Sequence, residues 1–212
     1  MELQPRLIDV TTPDRAIGTV LVLHGGASRG TRMMVSPTQL SVLRMIPIAK
    51  RIARAGGRGE LAVYRLLNST RGWDTHHTPV DDARWALDQL AERAGGPRRT
   101  CLVGHSLGGR AALFAANRPE VISAVALAPW VSPTDRPGGL DDRQILIVHG
   151  SRDRIASPER STALAERLSG TARVKYVSVE GGKHAMLKHH DEFSGLAADF
   201  ALETLRAGAS RR

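Results

Sequence analysis

Three polar residues in this chain could do covalent chemistry together: Ser106, Asp153 and His184. A serine hydroxyl is a weak nucleophile at neutral pH unless a base removes its proton, and a histidine does this best when a carboxylate orients its ring. Ser106 stands in Gly104-His105-Ser106-Leu107-Gly108, Asp153 closes His149-Gly150-Ser151-Arg152-Asp153, and His184 closes Gly181-Gly182-Lys183-His184. The first of these is a G-x-S-x-G pattern. Composition supplies such a pattern in roughly one chain of this kind in eight, so context must decide. A second match, Gly26-Ala27-Ser28-Arg29-Gly30, lacks that context, because Ser28 lies five residues beyond its apolar run and no immediate helix follows. Ser106 instead stands between the apolar Thr100 to Val103 and the alanine-rich Arg110 to Ala116.

Attack on a carbonyl also needs donors for the oxyanion. The glycine-rich His24-Gly25-Gly26-Ala27 follows Val20 to Leu23, so the N–H of Gly26, with Ala27 as second choice, and the N–H of Leu107 are the expected donors. Asp135 is the reserve carboxylate should Asp153 serve only as a helix cap. Met33, Met34, Trp73, His105, Trp130, Val131 and Met186 are candidate pocket residues, each equally suited to the core. His189, His190 and Asp191 read as the polar start of a helix rather than a metal site, and no metal or cofactor is expected. Cys101 stands alone in an apolar run, which excludes an internal disulfide and a cysteine-rich zinc site and predicts an inert thiol.

The elements that must position these groups alternate. Gly18 to Leu23, Leu61 to Leu67, Thr100 to Val103, Ala124 to Leu127, Ile145 to Val148 and Val174 to Val179 are short apolar runs suited to strands buried on both faces. Helical spacing fills the gaps at about Gln39 to Ala55, Val80 to Ala94, Leu107 to Asn117, Pro158 to Leu168 and Glu192 to Leu205. Pro79 and Pro158 are expected helix starts, and Gly56, Gly95 and Gly170 expected stops. Strand and helix alternating in this way predict an α/β fold with a mostly parallel sheet and helices on both faces, its ligand site at the carboxyl ends of the strands.

The chain resembles the α/β-hydrolase superfamily in His24-Gly25-Gly26, Gly104 to Gly109, His149 to Asp153 and Gly181 to His184, over a span from about Gly18 to the C-terminus. Within it the chain looks like the small serine esterases and the dienelactone-hydrolase-like group, which carries Cys where this chain has Ser106. Dehalogenases and epoxide hydrolases of this fold use Asp at that position. The resemblance implies an eight-stranded sheet, for which the short N-terminus leaves room for about seven. Only 16 residues, Pro129 to Gln144, are available where many members insert a helical cap, so no cap domain is expected. It further implies a serine hydrolase cleaving a small ester or thioester through an acyl-enzyme. A peptidase or lactonase of the same fold, or a member reduced to binding, are the alternatives.

At 212 residues, 42% hydrophobic and 24% charged, the chain suits one soluble domain over residues 1–212, with 1–16 as an N-terminal strand or arm and 207–212 as a frayed tail. No run approaches a membrane span and no secretory leader is evident, so the expectation is a cytoplasmic monomer or homodimer without membrane partners. The net charge of +9 raises nucleic acid as a partner, but of the 30 basic residues only Lys50, Lys175, Lys183 and Lys188 are lysine, and the arginines are scattered. That scatter favours a solvated surface over a phosphate-binding face, leaving at most a bias toward anionic substrates.

Overall fold

The computed structural model describes residues 4–26, 34–55, 57 and 59–209. Among them, seven strands form one sheet: β1 (Arg6–Thr11), β2 (Gly18–Leu23), β3 (Leu61–Leu67), β4 (Thr100–His105), β5 (Val121–Leu127), β6 (Gln144–Gly150) and β7 (Arg173–Val179). Their order is β1-β3-β2-β4-β5-β6-β7. Only β1 runs antiparallel, pairing with β3 at the edge, and every other neighbouring pair is parallel. The helices are α1 (Leu40–Leu43), α2 (Met45–Ala55), α3 (Thr78–Arg93), α4 (Leu107–Ala115), α5 (Pro158–Leu168) and α6 (His190–Ala209).

Side chains alternate across a strand, and a sheet covered on both faces must be apolar at every position. In β2, Leu21 and Leu23 enter a core with residues of α3, α4 and α5, while Val20 and Val22 enter another with residues of α2 and α6. The helices match this with apolar residues on one face. In α2 these are Met45, Ile48, Ala49 and Ile52, and in α6 Phe193, Ala197, Ala201 and Leu205, all fully buried. Burying Phe193 contributes about 2–3 kcal/mol before the entropy of ordering is subtracted.

Local chemistry sets the helix ends. Ser157 caps α5 by accepting the Arg160 N–H, and Pro158 follows it in the first turn. The Asp74 carboxylate accepts both the N–H and the hydroxyl of Thr78 at the start of α3, and Gly95, at φ +70°, follows the last turn. Several strands run past their apolar cores: β4 continues through Gly104-His105 and β6 through His149-Gly150, because the hydrogen-bonded ladder persists where apolarity stops. The predicted helix at Gln39 to Ala55 is divided at Arg44, and Gly56 lies outside the described residues.

Asp82 of α3 binds the end of β3, its buried carboxylate accepting the Ser69 N–H at 2.8 Å and the Ser69 hydroxyl at 2.9 Å. Burial outweighs these bonds and raises the carboxyl to about 6. A carboxyl with a raised value holds its proton more tightly in the folded chain, so folding gains stability as pH falls from about 6 to about 4 and loses it on the way back. At pH 7.5 Asp82→Asn should therefore be more stable than the wild type, by up to about 3 kcal/mol, with the gap closing by pH 4. Urea midpoints at the two pH values test this; a difference that does not vary with pH would refute it.

No helix among the described residues is long and apolar enough to cross a membrane. The link from β5 to β6 is coil and turn, and no cap domain stands there among the described residues.

Candidate active site

Ser106 sits between β4 and α4 with φ +55° and ψ −118°, a conformation that costs a non-glycine residue about 1–3 kcal/mol. The turn closes so sharply that a β-carbon on Gly104 would lie 2.1 Å from the Gly108 carbonyl oxygen, and one on Gly108 would lie 2.5 Å from that of His24. Backbone cannot yield to such contacts, so both positions require glycine. Ser106 is held from both sides: its N–H donates to Leu127, and its carbonyl accepts from Arg110 and Trp130.

The Ser106 hydroxyl lies 3.0 Å from His184 Nε2, and His184 Nδ1 donates to Asp153 Oδ2 at 2.8 Å. With Nδ1 carrying the proton, Nε2 is free to accept from the serine. The Asp153 carboxylate collects four donors. His149 Nε2 shares Oδ2, and the N–H groups of Ile155 and Ala156 bond Oδ1. Burial alone would raise this carboxyl, yet the bonds from His149, His184, Ala156 and Ile155 together hold it well below the ordinary carboxylate range. The Ser161 hydroxyl lies 2.9 Å from the other nitrogen of His149, which fixes that ring.

Two glycines bring acid and histidine together. Gly150 and Gly182 meet backbone to backbone: a β-carbon on Gly150 would lie 2.3 Å from the Gly182 carbonyl. Arg152 N–H donates to Gly182, and Gly181 N–H donates to the Ser151 hydroxyl, bracing the loop after β6 against the loop after β7. Gly150→Ala should force these loops apart and lower kcat by about tenfold to a hundredfold, the cost of a misplacement near 1 Å. Kinetics on a variant with unchanged circular dichroism test this, and full activity would refute it.

Leu107 opens α4, so its N–H has no intrahelical acceptor. Leu107 and Gly26 both line a cavity of about 390 Å³ that also takes in Gly25, Ser106 and His184. A β-carbon on Gly26 would lie 2.1 Å from the Arg71 carbonyl oxygen, so this loop must run bare against its neighbour. His24 anchors it: its buried ring bonds Gly25 through Nδ1 and accepts the Asn68 N–H at Nε2. Burial lowers His24 to about 4, leaving the imidazole neutral as that bonding requires.

The remaining predicted residues divide. Trp130 and His105 line the cavity. His105 is 1% exposed and spends Nε2 on the His184 carbonyl at 2.9 Å, so it braces the histidine loop. Burial lowers it to about 3. Met186 is a correction: at φ +58° it is buried in the core with residues of α2 and α6, where its apolar side chain leaves water, and does not line the cavity among the described residues. Trp73 is another, lying over the Arg110 guanidinium at 3.9 Å and against Phe114, away from the cavity. Val131 is buried in the core, and Met34 is exposed beside an isolated bridge to Thr70. Ala27, Ser28 and Met33 lie outside the described residues. The reserve carboxylate, Asp135, is paired with Arg110 in a buried ion pair and accepts the Ser132 N–H, so it is occupied elsewhere. Cys101 is fully buried, and burial pushes its thiol up to about 12.

Sequence reasoning missed Ser41, Arg44, Ile155 and Ala185, which complete the cavity. It also missed the roles of His24 and His149. His24 directly follows β2 and His149 is the penultimate residue of β6, both inside motifs already noted, and a histidine directly after an apolar run is the signal that could have marked them.

The sequence profile of the alpha/beta hydrolase family matches residues 20–159. No curated protein matches the chain. Among solved structures, an alpha-beta serine hydrolase homologue from Coxiella burnetii is 18% identical, with a TM-score of 0.67 over 92% of this chain and 90% of that one. A hyperthermophilic esterase from Pyrobaculum calidifontis is 16% identical, with a TM-score of 0.68 over 93% and 85%. A serine hydrolase without a lid from Xanthomonas campestris is 20% identical, with a TM-score of 0.62 over 94% and 87%. At these identities the likeness is one of fold; with the profile covering well over half of its length, the chain belongs to the alpha/beta hydrolase family.

Proposed function

We propose that the protein is a cofactor-independent serine hydrolase that cleaves a carboxylic ester or thioester of a small substrate. The reading rests on one observation, the hydrogen-bonded series Ser106 Oγ, His184 Nε2, His184 Nδ1, Asp153 Oδ2 beside the N–H of Leu107. Ser106 Oγ attacks the carbonyl carbon while its proton passes to His184 Nε2. The oxyanion accepts from the N–H groups of Leu107 and Gly26. His184 then returns the proton to the departing alkoxide or thiolate, leaving an acyl-enzyme. Water enters, gives a proton to His184 and attacks the acyl carbon; the acid departs and Ser106 regains its proton. Asp153 keeps the proton of His184 on Nδ1 and stabilises the imidazolium. The names of the Pyrobaculum and Xanthomonas neighbours, an esterase and a lidless serine hydrolase, agree with this reading.

A cavity of about 390 Å³ falls at the small end of ligand sites. The direct test is labelling by a fluorophosphonate probe. The wild type should label and Ser106→Ala should not; equal labelling of both, or of neither, would sink the proposal.

A further inference from the structure

Arg44, at the step between α1 and α2, lines the cavity that holds Ser106. Among the described residues its buried Nε has no hydrogen-bond partner, and none of its side-chain nitrogens forms an ion pair. Elsewhere the guanidinium groups of Arg51, Arg93, Arg110, Arg118 and Arg206 do have carboxylate partners. The acceptors near Arg44 do not offer a remedy. Among the described residues, no Asp or Glu lines the cavity. Asp153 stands behind His184 with both oxygens taken by four donors, and the segment 27–33, which follows Gly26, contains no acidic residue in its sequence.

A guanidinium partly withdrawn from water with donors unspent is costly, and a carboxylate is the partner whose planar pair of oxygens fits it. Burial lowers Arg44 from its ordinary value, in keeping with that desolvation. We propose that Arg44 receives a carboxylate of the substrate, so that the esters preferred by this site are anionic ones. This rests on the hydrolase reading above and names the substrate class for the same site. The net charge of +9 also favours the approach of anionic substrates to the protein as a whole.

The test compares matched pairs of esters. On the acyl side, 4-nitrophenyl hydrogen adipate is set against 4-nitrophenyl hexanoate; on the leaving-group side, 4-carboxyphenyl hexanoate is set against phenyl hexanoate. In one of these pairs the wild type should favour the anionic member in kcat/KM by about tenfold to a hundredfold, the range for a hydrogen bond to a charged group. The pair that shows the preference tells which side of the scissile bond carries the anion. Arg44→Met should bring that ratio close to one through KM for the anionic ester, and Arg44→Lys should retain part of it. In the wild type alone the preference should shrink as salt rises, which keeps the proposal testable if Arg44→Met does not fold. A wild type that turns over both members of both pairs equally would overturn the inference while leaving the hydrolase reading intact. So would a preference that Arg44→Met leaves in place. If no ester is turned over and no fluorophosphonate is incorporated, both fall together.

Discussion

Ser106→Ala is expected to lower turnover of a short-chain 4-nitrophenyl ester by roughly 10⁴-fold or more, the scale on which removal of a nucleophile abolishes an acyl-enzyme route. The size of the loss follows from what the variant keeps. The N–H of Leu107 and the glycine loop at Gly26 remain, and so does the imidazole of His184 with its Asp153 partner. What disappears is the only oxygen within 3.0 Å of His184 Nε2 recorded among the described residues. Water could then be activated only in its place, without a covalent intermediate. Steady-state kinetics on purified protein, with unfolding curves to show that the variant folds, are sufficient. A loss of less than about tenfold would mean that another group carries the reaction, because oxyanion stabilisation alone accounts for only part of such an acceleration.

Asp135→Ala should cost about 3–5 kcal/mol of folding stability, since it strands a buried cation. Arg110 and Asp135 are 9% and 4% exposed at their side chains. The guanidinium lies between Trp73, at 3.9 Å from the ring centre, and Trp130, at 5.4 Å. Among the described residues its Nε has no partner of its own, so the carboxylate is its main compensation. For a domain whose total stability is of the order of 5–15 kcal/mol, such a loss is severe. The double substitution Arg110→Met with Asp135→Leu should lose much less, because no charge is left unpaired. Urea denaturation of both variants checks this, and a loss below about 1 kcal/mol in Asp135→Ala would show that solvent reaches Arg110. The same variant separates the two acids: it should weaken the fold, whereas the carboxylate that bonds His184 is Asp153.

Much of the fold is legible in the sequence because both faces of its sheet are covered. Continuous apolar runs such as Gly18 to Leu23 and Leu61 to Leu67 coincide with strands to the residue. The limits appear where burial and hydrogen bonding part company. Gly104, His105, His149 and Gly150 extend their strands without looking apolar, and β1, only partly buried, has no continuous apolar run. The hydrogen-bonded series of Ser106, His184 and Asp153 is legible for a topological reason: parallel strands put all their carboxyl ends on one edge, so whatever follows them converges. The cavity walls obey no such rule. Ser41 and Arg44 arrive from a helical segment more than 60 residues before Ser106, and nothing in their local pattern distinguishes them from a solvated turn. Met186 and Trp73 fail in the opposite way, since an apolar residue beside a strand end can turn toward the site or away from it, and tertiary packing decides.

The backbone at Ser106 carries a further consequence. Its φ and ψ lie where glycine rests freely and serine does not. Folding therefore disfavours serine at the position proposed for the nucleophile, and a chain shaped for persistence alone would place glycine at position 106. The side chain stays at a thermodynamic loss, which under the proposed mechanism is a trade-off between activity and stability concentrated in one residue.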